Sequence, residues 1–196
     1  MMLTGAVALS SCEKDETEND ESNNEPTNNS NLANNTLKAG SESVMLNLYT
    51  AHRSTDVNTN KEYIDIYIFK DNAANRANYL QIALNEIPSA TKELSWQSGS
   101  SAPGDLTPDE FVIFPKVNDM RWYGVYSTTG FETTGKMQAE VDGSKLILSF
   151  KDIELADNFI STNVSQTEKV SGKFTFNLPD LQNLGTRPSS PKNLVD

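Results

Sequence analysis

The chain has 196 residues, room for one ordinary domain plus an extension, with an apolar share of 36% and a formal charge of −11. That balance gives phosphate no cluster of Lys and Arg to bind, which argues against nucleic acid as a partner. Cys12 is the only cysteine and His52 the only histidine, so disulfides, cysteine-based zinc clusters and two-histidine metal sites are ruled out and no cofactor is expected.

Leu3–Leu9 is a short apolar run of small residues, like the core of a secretory signal peptide. It leads into Leu9-Ser10-Ser11-Cys12, after which the chain turns abruptly polar. This tetrapeptide resembles the lipobox of bacterial lipoproteins, where a leucine and two small residues precede a cysteine. The resemblance implies cleavage after Ser11 and a lipid on the Cys12 thiol, which would hold the protein to a membrane. Glu13-Lys14-Asp15-Glu16 resembles the acidic export signal of Bacteroidota lipoproteins, which implies the outer membrane and the cell surface, with its periplasmic face as the alternative. No Lys or Arg precedes Cys12, and the chain begins Met1-Met2; the missing basic segment points to a start further upstream.

Residues 13–25 carry seven carboxylates against Lys14 alone, and residues 17–43 are rich in Asn, Glu, Ser and Thr. So little apolar surface cannot offset the entropy of ordering, so 12–43 is expected to be a disordered tether on the lipidated cysteine. A flexible chain of ~30 residues reaches roughly 30 Å. Leu32, Leu37 and Ala39 are its only anchors toward a domain. The expected organisation is a partial signal peptide (1–11), the tether (12–43), a β-domain (44–180) and a flexible tail (181–196).

From Val44 the pattern has period two. Val44, Leu46 and Leu48 read as one face of a first strand ending near Ala51. Asp56–Asn60 has the spacing of a calcium loop, but Lys61 stands where glycine is needed and Tyr67 where glutamate should close the site, so a hairpin turn is expected. Tyr63–Phe69 is the strongest strand, with Ile64, Ile66 and Ile68 inward and Tyr63, Asp65, Tyr67 and Phe69 on a half-covered face. Tyr79–Leu84 and Glu93–Gln97 follow, then an irregular loop over 97–110. Pro115, after Phe111–Phe114, suggests an edge or a strand end. Arg121–Ser127 carries Trp122, Tyr123 and Tyr126. Gly135–Asp142 and Lys145–Phe150 form a hairpin about Asp142-Gly143. Ile153 and Leu155 fall on the opposite parity, which calls for a bulge near Lys151-Asp152. Val170, Gly172, Phe174, Phe176 and Leu178 give the last strand.

Such spacing, with no amphipathic helix, predicts an all-β antiparallel sandwich of about eight to ten strands, or alternatively a lipocalin-like barrel. The half from Trp122-Tyr123 through Thr134–Met137 and Ser149–Asp152 to Val170–Phe174 is similar to β-rich domains of Bacteroidota lipoproteins, a loose likeness that implies no activity.

His52 beside a turn reads as a surface residue rather than a base. Asp105, Asp109 and Glu110 share one loop, and a glycosidase needs two carboxylates facing across a cleft. No nucleophile elbow or phosphate-binding glycine loop is present. The aromatics Trp96, Trp122, Tyr123 and Tyr126 are the candidate ligand-binding residues, since such rings stack on sugars, although Trp96 and Trp122 equally suit a core. The sequence therefore predicts a membrane-anchored, non-catalytic module for a glycan or a surface protein. A small-ligand carrier and a carboxylate-dependent glycan hydrolase are the alternatives.

Overall fold

Ile64, Ile66 and Ile68 recur at every second position, and an extended strand is the conformation that gathers such a set on one face. In the computed structural model, which describes residues 32–71, 77–97, 102–125, 131–158 and 163–196, they lie on β4 (Glu62–Phe69) and are essentially fully buried. The same rule builds β1 (Thr36–Ala39), β2 (Glu42–Met45), β3 (Leu48–Thr55), β5 (Tyr79–Leu84), β6 (Lys92–Trp96), β7 (Glu110–Val117), β8 (Met120–Arg121), β9 (Lys136–Asp142), β10 (Lys145–Ala156), β11 (Thr167–Asn177) and β12 (Lys192–Asn193). A single turn of helix, α1 (Pro179–Gln182), follows β11.

The all-β expectation is met. The twelve strands join in one hydrogen-bonded sheet, ordered β12-β3-β4-β5-β7-β6-β9-β10-β11-β1-β2, with β8 on β7. The sheet is mixed: β6 and β7 run parallel while the other pairs are antiparallel. Expected as a sandwich or a barrel, the domain encloses its core by curling that one sheet into a half-barrel. Tyr49, Phe111, Phe150, Phe174 and Phe176 fill the core together with the aliphatic residues of β4, β5 and β10. Tyr49 and Phe176 meet edge to face at 5.1 Å, so β3 touches β11 across the interior.

Several expected boundaries move. Residues 34–43, assigned to the tether, contain β1, the whole β1–β2 turn and the first half of β2: Leu37 is fully buried and pairs with Gly172 of β11. The single strand expected from Val44 to Ala51 is two strands, because Leu46 and Asn47 leave the ladder and bond to Asn35 and Phe69 instead. Parity shifts at this break, so Tyr49 and Ala51 point inward rather than Leu48. The bulge appears between Phe150 and Ile153, with Asp152 at φ 52° and its N–H donating to Ser171 Oγ at 2.9 Å. Pro115 lies inside β7 rather than at its end. The Pro115 carbonyl accepts from Trp122 N, so the missing N–H points to the side that β6 leaves open there, a local edge. The turn after β3 is a hairpin turn, held by Asp56 Oδ1 accepting from Asn58 N and Thr59 N at 2.8 and 3.0 Å.

The segment 181–196, expected to be a flexible tail, is bound along β3. Arg53 N donates to Gly185, Ser189 N donates to Ala51, and Lys192 and Asn193 pair with Tyr49 and Leu48. Val195 N then donates to Thr175 on β11, so the tail bridges β3 and β11, which are far apart in the sheet order. Its alternating apolar residues are too sparse to read as a strand. Leu181 and Leu194 are nevertheless buried, and the backbone partners of β3 lie here.

The molecule thus has two poles. At one, Asn34 and Asn35 donate to the Val195 carbonyl, fixing where the chain joins β1. From there β1 runs four residues, ~13 Å, to the other pole. At that second pole Gly40 N donates to Lys169, Asn118 Nδ2 to Glu42, Asn118 N to Asn78 and Asp119 N to Ala77. Turns β1–β2 and β7–β8 and the start of β11 are thereby tied together.

Candidate functional site

The second pole carries a cleft of about 280 Å³. Its apolar wall is Val117, Met120 and Trp122; its polar rim is Glu42, Asn118 and Glu168. Trp122 follows β8, which folds back on β7 through Val117↔Met120 pairing and so places the indole beside the turn. Trp122 is itself part of the buried core, at 8% exposure, and Met120 is 45% exposed at the mouth. Glu42 opens β2, immediately after the two-residue turn Gly40-Ser41 that pairs Ala39 with Glu42. Its Oε2 accepts from Asn118 Nδ2 at 3.0 Å. Glu168 sits near the start of β11, where its Oε1 accepts from Lys169 N.

Gly40 makes this arrangement possible in two ways. Its φ is +56°, a region that costs a side chain strain. A Cβ there would also lie 2.4 Å from Glu168 Oε2, so the glycine leaves the space that the carboxylate occupies.

Among those of the expected aromatics that are described, Trp122 alone lines this cleft. Tyr123 is half-buried beside it in sequence, and its backbone exchanges two hydrogen bonds with Ala156. Trp96 belongs to the core: its ring meets Phe111 edge to face at 5.6 Å, and Gly124 lies against its far edge. An edge of Trp96 also reaches a second cleft of about 400 Å³ beside Gln97, Thr133 and Lys136. Tyr126, Cys12 and the run Glu13, Lys14, Asp15 and Glu16 lie outside the described residues.

The loop carboxylates are each engaged separately. Asp105 pairs with Lys61 at 3.0 Å, Asp109 with Lys92 at 3.3 Å, and Glu110 accepts from Thr107 N at 2.9 Å. His52 is within β3, directly across from Asp65 of β4. Asp65 is 5% exposed and accepts from Gln81 Nε2 at 2.9 Å. Burial pushes its carboxyl above the usual carboxylate range, against the smaller opposing pull of Gln81 and of His52. No group of three His, Cys, Asp or Glu able to hold a metal occurs among the described residues.

Sequence reasoning missed Glu42, Asn118 and Glu168. They come from three distant segments, and only the sheet order brings them together. One local signal was there: Gly40-Ser41 between Leu37/Ala39 and Val44 is a two-residue hairpin pattern. No protein family, curated protein or solved structure matches the chain.

Proposed function

We propose that this chain is a lipid-anchored protein of the outer membrane, displayed at the cell surface, whose β-domain binds glycan without catalysis. The anchor reading is supported by Leu9-Ser10-Ser11-Cys12 and the acidic run after it. The binding reading is carried by the Trp122 cleft, where an apolar wall with Met120 exposed at its mouth meets carboxylate acceptors and an amide. Sugar recognition uses that combination: an apolar surface for the sugar's C–H faces, and acceptors and donors for its hydroxyls. The carrier reading has less support, because large side chains occupy the concave interior. The hydrolase reading has less support too, because Asp105, Asp109 and Glu110 each hold a different partner.

The test is a glycan array probed with the full chain, followed by titration of the retained saccharide against tryptophan fluorescence. Retention of one saccharide class with a quench or shift of the emission is the expected result. A folded chain that retains no saccharide overturns the glycan reading. A protein partner is the second reading, carried by Met45 and Met120, which are 60% and 45% exposed. Cross-linking at Met120 to a surface protein, with a silent array, would favour it.

A further inference from the structure

Separately from the glycan reading, we propose that the outer face of β10, β11 and β1 is a docking surface for the chain's own acidic segment, residues 13–25. Val170 and Phe174 turn into the core, so Lys169, Ser171 and Lys173 share the opposite face of β11. Ser171 stands at the centre of a cross of lysines. Lys169 and Lys173 flank it along the strand, each ~7 Å away. Lys38 of β1 pairs with it directly, and Lys151 lies on its other side, in the β10 bulge between the pairs Phe150↔Gly172 and Ile153↔Val170. Lys38, Lys151 and Lys169 are exposed, and none of the four lysines has an ion-pair partner among the described residues. Two carboxylates border the cross. Asp152 is turned onto Ser171, whose Oγ accepts from its N–H at 2.9 Å, and Glu154, opposite Lys169, accepts from the Thr167 hydroxyl at 2.6 Å. The face therefore keeps a net positive charge on a chain of formal charge −11.

Lysines so placed repel one another, and the counter-charge they lack is carried by the chain itself. Residues 13–25 hold seven carboxylates against Lys14 alone, a net of −6. Their point of attachment is close by: Asn34 and Asn35 are bonded to Thr175 of β11, and Thr36 pairs with Lys173. Ser171 is four residues from Thr175 along the strand, ~13 Å. The acidic segment lies 9 to 21 residues before Asn34, and a coil of that length spans roughly 15–25 Å. It thus has the reach to cover the cross, at an effective concentration on the order of millimolar. The same segment of a second copy brings the same charge only at the far lower concentration of free protein, so the occupant is the chain's own. Salt screens attraction between exposed charges, so the contact is strongest at low ionic strength. Closed, it draws Cys12 toward β11; opened by salt or by a competing polyanion, it releases the full length of the tether.

A nitroxide on Cys12, the only cysteine, reports the contact in the full chain through its broadening of backbone amide signals. At low salt the amides of Lys38, Ser171 and Lys173 should lose most of their intensity. That of Asn193, two residues from the Val195 carbonyl that Asn34 and Asn35 bind, should keep its own. Sodium chloride at ~1 M should restore the lost signals. So should one variant carrying Glu18→Gln, Asp20→Asn, Glu21→Gln and Glu25→Gln, which leaves Glu13–Glu16 as they are. A second variant, Lys38→Gln with Lys173→Gln, should do the same while melting near the wild type. Polyglutamate should bind the four-acid variant at least ~3-fold more tightly than the wild type, because there it meets no competitor. Broadening shared evenly between Lys173 and Asn193, or unmoved by salt and by both variants, overturns the proposal. Equal polyglutamate binding by the wild type and the four-acid variant does so too. Broadening passed to a second chain without nitroxide, in an isotope-mixed sample, would give the face to a neighbouring copy's segment and overturns the proposal as well. None of these outcomes bears on glycan binding.

Discussion

Asp65 sits on the convex side of the sheet, walled by His52 across β3, Gln81 and Ala83 across β5, and Tyr63 and Tyr67 along its own strand. Folding raises its pKa, chiefly through burial. A carboxyl of this kind binds its proton more tightly folded than unfolded. Its contribution to stability is therefore complete below the unfolded value of ~3.9 and is lost as pH rises through the folded one. At neutral pH the ionised Asp65 is a net cost. Asp65→Asn keeps an acceptor for Gln81 and removes the charge, so it should raise the melting temperature at pH 7. The gain should vanish near pH 3, as read from thermal melts across pH. A lower melting temperature at pH 7 would mean that His52 needs the charge. A second residue-scale prediction concerns Gly124, where a Cβ would lie 2.0 Å from Trp96 Cζ2. The indole is held on its other side by Phe111, so it has no room to retreat. Gly124→Ala should cost ~1–3 kcal/mol by overpacking and shift the tryptophan emission. Unchanged stability in a denaturant titration would place Trp96 elsewhere.

At the scale of elements, what was legible followed local periodicity. β4, β5, β10 and β11 each carry three or more apolar residues at spacing two, and each was read with its inward face correct. The break in parity at Ile153 likewise announced its bulge. β1 has only Leu37 and Ala39, and was lost in an Asn-rich stretch. Two Gly-Ser turns close hairpins of this sheet, Gly40-Ser41 and Gly143-Ser144. The second was recognised, one residue early as Asp142-Gly143, because strong strands flank it; the first was not. The tail was illegible for a different reason. Its backbone is ordered by bonds to β3 and β11, and a backbone partner leaves no mark on side-chain pattern. The tail is also the element whose loss should be felt most. Ending the chain at Gln182 strips β3 of its outer partners and exposes Tyr49, Ala51 and the edge itself. Several net hydrogen bonds at ~1 kcal/mol each, plus a buried leucine, give an expected loss of roughly 4–6 kcal/mol. Leu194→Ala alone should cost ~2 kcal/mol. Chemical denaturation measures both, and a truncated chain as stable as the full one would show that the tail only decorates β3. An uncovered edge also predicts self-association of the truncated chain, visible by light scattering.

The whole molecule places its parts in a functional order. The chain reaches β1 beside Val195, and β1 carries it away from that point to the turn that borders the Trp122 cleft. A lipid on Cys12 would thus reach the domain through a tether that joins it at the pole opposite the cleft. This ties the anchor proposal to a measurable geometry. Metabolic labelling with a fatty-acid probe should mark the wild-type chain, and Cys12→Ala should lose the label and leave the membrane fraction. Because β1 and everything after it lie beyond residue 34, the released variant should melt with the wild type and bind ligand with the same affinity. Replacing Glu13, Asp15 and Glu16 with neutral residues should keep the label but protect the domain from protease added to intact cells. A label that survives Cys12→Ala would remove the lipid anchor. A released variant that binds more tightly than the anchored chain would instead keep the anchor and bring the membrane to the cleft, since a membrane that hinders the ligand must lie on the side of the cleft.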